Sequence, residues 1–236
     1  MAKPPSNKVV SREEWIKARR VLLAKEKAHT RERDKLAAAR RALPWEDVTK
    51  EYVFEGPDGK QTLRELFAGR SQLVVYHFMF HPEWTEGCPH CSHFADSFDR
   101  PIVHLNQRDV TMVAVSRAPY EKIAAYRQRM AWTFKWVSSF GNDFNFDFNV
   151  SFTPEEMKKR KAFYNFTVQN PDAPEREGLS VYYKEPRGRV VRTYSTFARG
   201  IEPINVDYQV LDLVPKGRDE SGKGPFWVRR HDEYDR

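Results

Sequence analysis

Two apolar runs constrain this chain more than any other feature: SQLVVYHFMF at 71–80 and DVTMVAVSRA at 109–118. Neither shows the in-and-out alternation of a strand with one wet face. Such runs belong to strands buried on both sides, as in a parallel sheet covered by helices. The segment between them, CSHFADSFDR, can form a helix with Phe94 and Phe98 on one side. Pro119 is placed to open a second helix, YEKIAAYRQRM, and FKWVSS reads as a third strand. Strand, helix, strand, helix, strand implies right-handed crossovers, and so an α/β fold with a central sheet flanked by helices. Upstream, DVTKEYVFEGPDGKQTLRELF reads as a strand, a turn at Gly56–Gly59, a short return and a short helix. Downstream, LSVYYKEPRGRVVRTYSTF has two strand-like runs around Pro186-Arg187-Gly188, a hairpin that makes the sheet mixed. With sixteen Phe, ten Tyr and six Trp in 236 residues, one large core can be filled.

Charge divides the chain. Residues 1–43 hold thirteen Lys and Arg against five Asp and Glu, whereas the rest holds twenty-seven against twenty-eight. The basic segment also reads as a long helix, with a capping box at Ser11 and Glu14 and a stop at Pro44. Its apolar residues cluster at the ends (Trp15, Ala18, Leu22, then Leu36, Ala39, Leu43), while KEKAHTRERDK between them is charged all round. The two ends are expected to dock and the middle to lie in solvent or bridge to a second subunit, which makes a homodimer the expected assembly. A nucleic-acid partner is not expected, because no aromatics interleave with the basic residues. The divisions are therefore a basic helix over 1–44, the α/β domain over 45–214 and a tail over 215–236, whose PFWVRRHDEY is apolar enough to dock back.

No run reaches the eighteen apolar residues of a membrane span, and MAKPPSNKVVSREEW lacks the apolar stretch of an export signal. A cytosolic location is expected. There, the only two cysteines, Cys88 and Cys91, are poor candidates for a structural disulfide and better ones for catalysis or metal binding. They follow the carboxyl end of the first buried strand, where sites form in such sheets. A helix amino terminus offers free amide hydrogens and partial positive charge, which favour thiolate over thiol. Thiols so placed ionise at about 3.5–7.5, against about 8.5 when free. His90, if protonated or donating a hydrogen bond, would add to this. Cys88 is expected to attack and Cys91, one turn on, to resolve. Zinc is the alternative use of the pair with His81, His90 and His93, but no second Cys or His pair closes a four-ligand set. A binding or assembly module without catalysis is a further alternative.

These residues carry a resemblance. VVSREEW, LVVYHFMF, CPHCS, DVTMVAVSRAP, DFNFDF, YSTFARG and WVRRHDEY together resemble a bacterial thioredoxin-like family of unknown function, regarded as predicted dithiol-disulfide oxidoreductases. The resemblance spans the whole chain and implies a thioredoxin-like fold and a protein or small-molecule thiol or disulfide as substrate. FHPEWTEGC is also similar to the peroxiredoxin approach to a peroxidatic cysteine, with Pro82, Thr85 and Cys88 in the matching places. Peroxide reduction by Cys88 is the alternative activity implied. The chain departs from these patterns in three ways. Gly87 stands where thioredoxins carry Trp, the step from Pro82 to Cys88 is one residue shorter than in peroxiredoxins, and Leu179 and Ser180 stand where thioredoxins place a cis-proline.

Among other polar residues, Arg117 ends the second buried strand and is a candidate to stabilise a thiolate or a peroxide oxygen. In NDFNFDFNVSF, Phe144, Phe146, Phe148, Val150 and Phe152 alternate with polar residues, predicting a half-buried strand or extended segment, with Asp143 and Asp147 as a candidate rim near the site. Arg199 in FARG is a candidate for an anionic group or a surface ion pair. No phosphate loop, nucleophile elbow or His-Glu-x-x-His helix occurs, so no nucleotide, flavin or other cofactor is expected.

Overall fold

The computed structural model describes residues 6–220, 222 and 224–234. Its first element is α1 (Arg12–Arg41), capped as the sequence requires: the Ser11 hydroxyl accepts from the Glu14 amide and the Glu14 carboxylate accepts from the Ser11 amide. Not one residue of α1 is buried. Trp15, Leu22 and Leu36 are 58%, 50% and 51% exposed, so the expected docking of the helix ends on the domain does not occur. The reason is geometric. A straight helix of this length spans about 45 Å, and a rod whose apolar residues sit only near its tips cannot lay both on one convex domain.

The sheet is built from β1 (Glu46–Asp47), β2 (Val53–Gly56), β3 (Gly59–Thr62), β4 (Gln72–His77), β5 (Val110–Ser116) and β6 (Lys135–Ser138), with β9 and β10 described below. Between β4 and β5 run α2 (Pro89–Phe98) and α3 (Ile102–Asn106), and between β5 and β6 runs α4 (Tyr120–Arg129). After β6 come α5 (Phe144–Asp147), α6 (Pro154–Lys159) and a small hairpin, β7 (Ala162–Tyr164) with β8 (Thr167–Gln169). β9 (Gly178–Lys184) and β10 (Val190–Phe197) return to the main sheet before α7 (Val206–Leu211). The strand order is β1-β10-β9-β4-β5-β6-β2-β3. β4, β5 and β6 are parallel, while β9 runs antiparallel to β4 with His77 opposite Gly178. This is a thioredoxin-like mixed sheet with helices around it.

Alternation along the strands makes two cores. Leu73, Val75, Val113, Val115, Val137 and Tyr182 face one side with Phe144 and Phe148. Tyr76, Phe78, Ala114, Trp136 and Leu179 face the other, with Cys91, Phe94 and Phe98 of α2. The continuous apolar character of β4 follows from this double burial.

One expectation is corrected. NDFNFDFNVSF does not form a strand across its length; its first half is the helical turn α5. Positions 144 and 148 share a face at a spacing of four as well as of two, so the aromatic pattern fits either period. The flanking asparagines decide. Asn142 Oδ1 accepts from the Phe144 amide to start the turn, and Asn149, at φ 58°, stops it. Only beyond this is the chain extended, with Ser151 bridging to Glu175.

Candidate active site

The site begins where β4 ends. The segment after His77 holds the next residue to the sheet through Phe78 N–H to Val115 O, and its return is fixed by Cys88 N–H donating to Met79 O at 3.0 Å. Cys88 is the residue that caps α2, and Pro89 fills the first helical position, where its missing N–H costs nothing. Cys91 is one turn on and buried, whereas Cys88 is half-buried. The Cys91 sulfur accepts from the Met79 amide at 3.4 Å and also meets the Tyr76 hydroxyl from the strand below.

Electrostatics separates the two thiols. Cys88 is held below the ordinary thiol value by the Cys91 thiol first, then by the amides of Cys91 and His90, working against burial and the Glu177 charge. Cys91 goes the other way, raised by burial first, then by its bond to Cys88 and that neighbour's charge, with Glu177 adding to it. Cys88 at the amino terminus of α2, where the helix is positive, and Cys91 buried one turn on account for both directions.

The predicted residues divide into those the fold gathers and those it does not. Cys88, Cys91 and His90 come together, but His90 acts through its backbone. Its imidazole is held below the ordinary value by desolvation and then by His93. Thr85 is exposed on the segment leading to Cys88. Arg117 is engaged away from the pair: it donates to Glu175 at 2.9 Å and stacks 4.3 Å over Phe146. Glu175, fully buried, is pushed up to about 7 by desolvation, opposed by Ser151 and Arg117. Asp143 and Asp147 lie on the opposite side of the sheet, both taken by Lys50, with Asp147 also accepting from Tyr52. Arg199 is exposed in an ion pair with Glu202. His93 bonds Asp207 and packs edge-on to Tyr208 and Trp227, and His81 accepts from the Glu83 amide. Among the described residues no group of three His, Cys, Asp or Glu side chains is arranged to hold a metal.

Three participants escape sequence reasoning. Glu177 stands just before β9, at the end of the strand that pairs with β4, and its charge reaches both sulfurs. Its signal was available: the residue entering a strand beside the cysteine strand faces the same end of the sheet. Tyr76 lies one residue before the His77 end of β4, on the face that carries Cys91. Arg230 comes from the far end of the chain, donating to Gly87 O at 2.8 Å.

Comparison with known proteins completes the picture. No curated protein matches the chain. Solved structures that it resembles include the peroxidoxin BcpB from Mycobacterium tuberculosis, 12% identical with a TM-score of 0.48, over 70% of this chain and 93% of that one. The yeast mitochondrial 1-Cys peroxiredoxin is 14% identical with a TM-score of 0.45, over 72% and 78%. The mitochondrial 2-Cys peroxiredoxin from Plasmodium falciparum is 14% identical with a TM-score of 0.43, over 76% and 98%. Residues 4–234 match the family described as bacterial protein of unknown function (DUF899), and the chain, cysteine pair, leading helix and closing segment included, belongs to that family.

Proposed function

We propose that the protein is a thiol-disulfide oxidoreductase in which Cys88 is the nucleophile and Cys91 the resolving thiol, acting on a protein or small-molecule substrate in the cytosol. The observation that carries this reading is the placement of two thiols one turn apart at the start of α2, Cys88 partly exposed at the capping position and Cys91 buried behind it.

In the reducing direction the Cys88 thiolate attacks one sulfur of a substrate disulfide. The substrate S–S bond breaks, the released sulfur leaves as thiolate and takes a proton, and a mixed disulfide remains on Cys88. Cys91 then loses its proton and attacks the Cys88 sulfur, forming the Cys88–Cys91 disulfide and releasing the second substrate sulfur. Two electrons pass from the pair to the substrate, and the oxidising direction reverses each step. Glu177 is the carboxylate whose charge reaches the buried thiol, and it is the acceptor we assign to the Cys91 proton. No cofactor takes part.

The test uses reduced protein and a model disulfide. Wild type should exchange, Cys88→Ser should not, and Cys91→Ser should accumulate a covalent mixed disulfide seen by mass spectrometry. Peroxide reduction is the competing outcome: fast conversion of Cys88 to a sulfenic acid in Cys91→Ser by stopped-flow, lost in Arg117→Ala, would replace this reading. The pairing of Arg117 with Glu175 argues against it.

The expected homodimer belongs to the same proposal. Trp15, Leu22 and Leu36 on α1, with Leu43 just beyond its end, are all exposed and spaced at multiples of seven, which aligns the three helical residues along one stripe. A second copy of α1 is the partner we assign to that stripe. Light scattering should give a dimer for the full chain and a monomer for a variant lacking residues 1–43; a monomeric full chain would end the idea.

A further inference from the structure

The closing segment contains a residue built into the cysteine loop. Arg230 is only 14% exposed and spends its guanidinium on four groups. Nε donates to Tyr126 Oη at 2.8 Å and Nη2 donates to the Gly87 carbonyl at 2.8 Å. Nη2 also pairs with Glu86 at 3.0 Å, and Nη1 pairs with Glu233 at 2.8 Å. The two neutral contacts lead toward the nucleophile by separate routes. Gly87 is the residue before Cys88, so its carbonyl belongs to the peptide that ends in the Cys88 amide. Tyr126 Oη meets Ser92 Oγ at 2.8 Å, and Ser92 Oγ donates to the Cys88 carbonyl at 2.9 Å.

The donor direction along the second route follows from valence. A guanidinium only donates, so Tyr126 oxygen accepts from it. Ser92 has one hydroxyl hydrogen, given to the Cys88 carbonyl, so the bond between Tyr126 and Ser92 uses the tyrosine hydrogen. The chain Arg230, Tyr126, Ser92, Cys88 therefore runs one way, each bond polarising the next from a cationic start. Both peptides flanking Cys88 are thus tied to one side chain from 142 residues further along the chain. The close fit at Gly87 belongs to the same design. A Cβ there would stand 2.7 Å from the Phe78 ring and 2.8 Å from the Tyr126 ring, so a larger residue would push Tyr126 off the relay.

We infer that Arg230 is the positioning residue of this site: it fixes the peptides on both sides of Cys88 and so holds the sulfur at the positive amino terminus of α2. This deepens the proposed function, since it takes Cys88 to be the nucleophile, yet its test reads the thiol alone and stands or falls without turnover. The pH dependence of iodoacetamide labelling at Cys88, mapped by peptide mass, is measured on the full-length reduced protein. Arg230→Ala should raise the labelling midpoint by about one pH unit, which is about tenfold less thiolate at a pH below both midpoints. Free guanidinium at tens of millimolar should return part of that shift. Tyr126→Phe keeps the ring in place and cuts only the route through Ser92; it should raise the midpoint in the same direction by less. Near-UV circular dichroism establishes that each variant is folded. Midpoints within 0.2 unit of wild type in both variants would overturn the inference, and so would a shift in Arg230→Ala that guanidinium leaves untouched while Tyr126→Phe shows none.

Discussion

The two ends of this chain behave in opposite ways. Residues 12–41 form the most regular element of the molecule, thirty residues of helix with a complete capping box, yet none is buried. Residues 225–234 contain no helix or strand, yet Val228 is 3% exposed, Trp227 packs against His93 and Tyr208, and Arg230 reaches the loop that carries Cys88. Arg129 adds bonds to Asp232 and Glu233, and His231 pairs with Asp96 of α2. Local regularity and tertiary coupling are thus separate properties. A helix can satisfy its own backbone and owe nothing to the core, whereas an irregular segment has order only through what it touches.

The largest expected effect concerns the core to which one end is tied and the other is not. His77 is buried in β4 and pushed down to about 3, by burial first and Arg192 second. The unfolded chain takes up that proton near pH 6.5 and the folded chain does not, so the stability His77 supplies is present above pH 6.5 and is lost as pH falls toward 3. The full loss is about 4–5 kcal/mol. Denaturant melts from pH 7 to pH 3.5 should show a decline that His77→Phe, which keeps a ring against Phe144 and Phe148, largely removes. Hydrogen exchange over the same range should show protection of 225–234 falling with the core while 12–41 keeps its own rate; parallel loss in both would break the comparison.

Deleting 225–236 comes next. Loss of the Val228 and Trp227 packing should cost about 2–3 kcal/mol, which for a chain of this size lowers Tm by about 5–10 °C. It should also raise the Cys88 labelling midpoint. Deleting 1–43 should leave Tm within about 2 °C and the midpoint unchanged. The smallest effect is Ser11→Ala, which removes the cap and should speed exchange at the first turn of α1 by the equivalent of about 1 kcal/mol, with no change in the melting of the core.

Much of this was legible because it rests on neighbours in sequence. The run 71–80 had to be a doubly buried strand, and Cys88 and Cys91 just beyond it had to fall at a helix start. The α1 capping box needed only residues 11 and 14. What was not legible depends on partners brought from far away. Arg117 reads as a site arginine until Glu175, 58 residues on, takes it. Arg230 lies in a segment read only as docking back, and nothing near it in sequence points to Gly87, 143 residues back, which receives its hydrogen bond. His90 looked like a cation beside the thiol, but desolvation and His93 both lower its imidazole from the ordinary value, which its own position in the sequence does not show. In 142–152 the aromatic spacing was compatible with two periods, and the asparagines that chose between them were read as ordinary polar positions.

The asymmetry of the cysteine pair is the central claim, and mapped alkylation of the reduced wild-type protein tests it most directly. Iodoacetamide across pH 5–9, followed by peptide mass analysis, should modify Cys88 first, with a midpoint below that of a free thiol near 8.5. Cys91 should resist until well above that value. Labelling of Cys91 before Cys88, or of both together near the free-thiol value, would contradict the account.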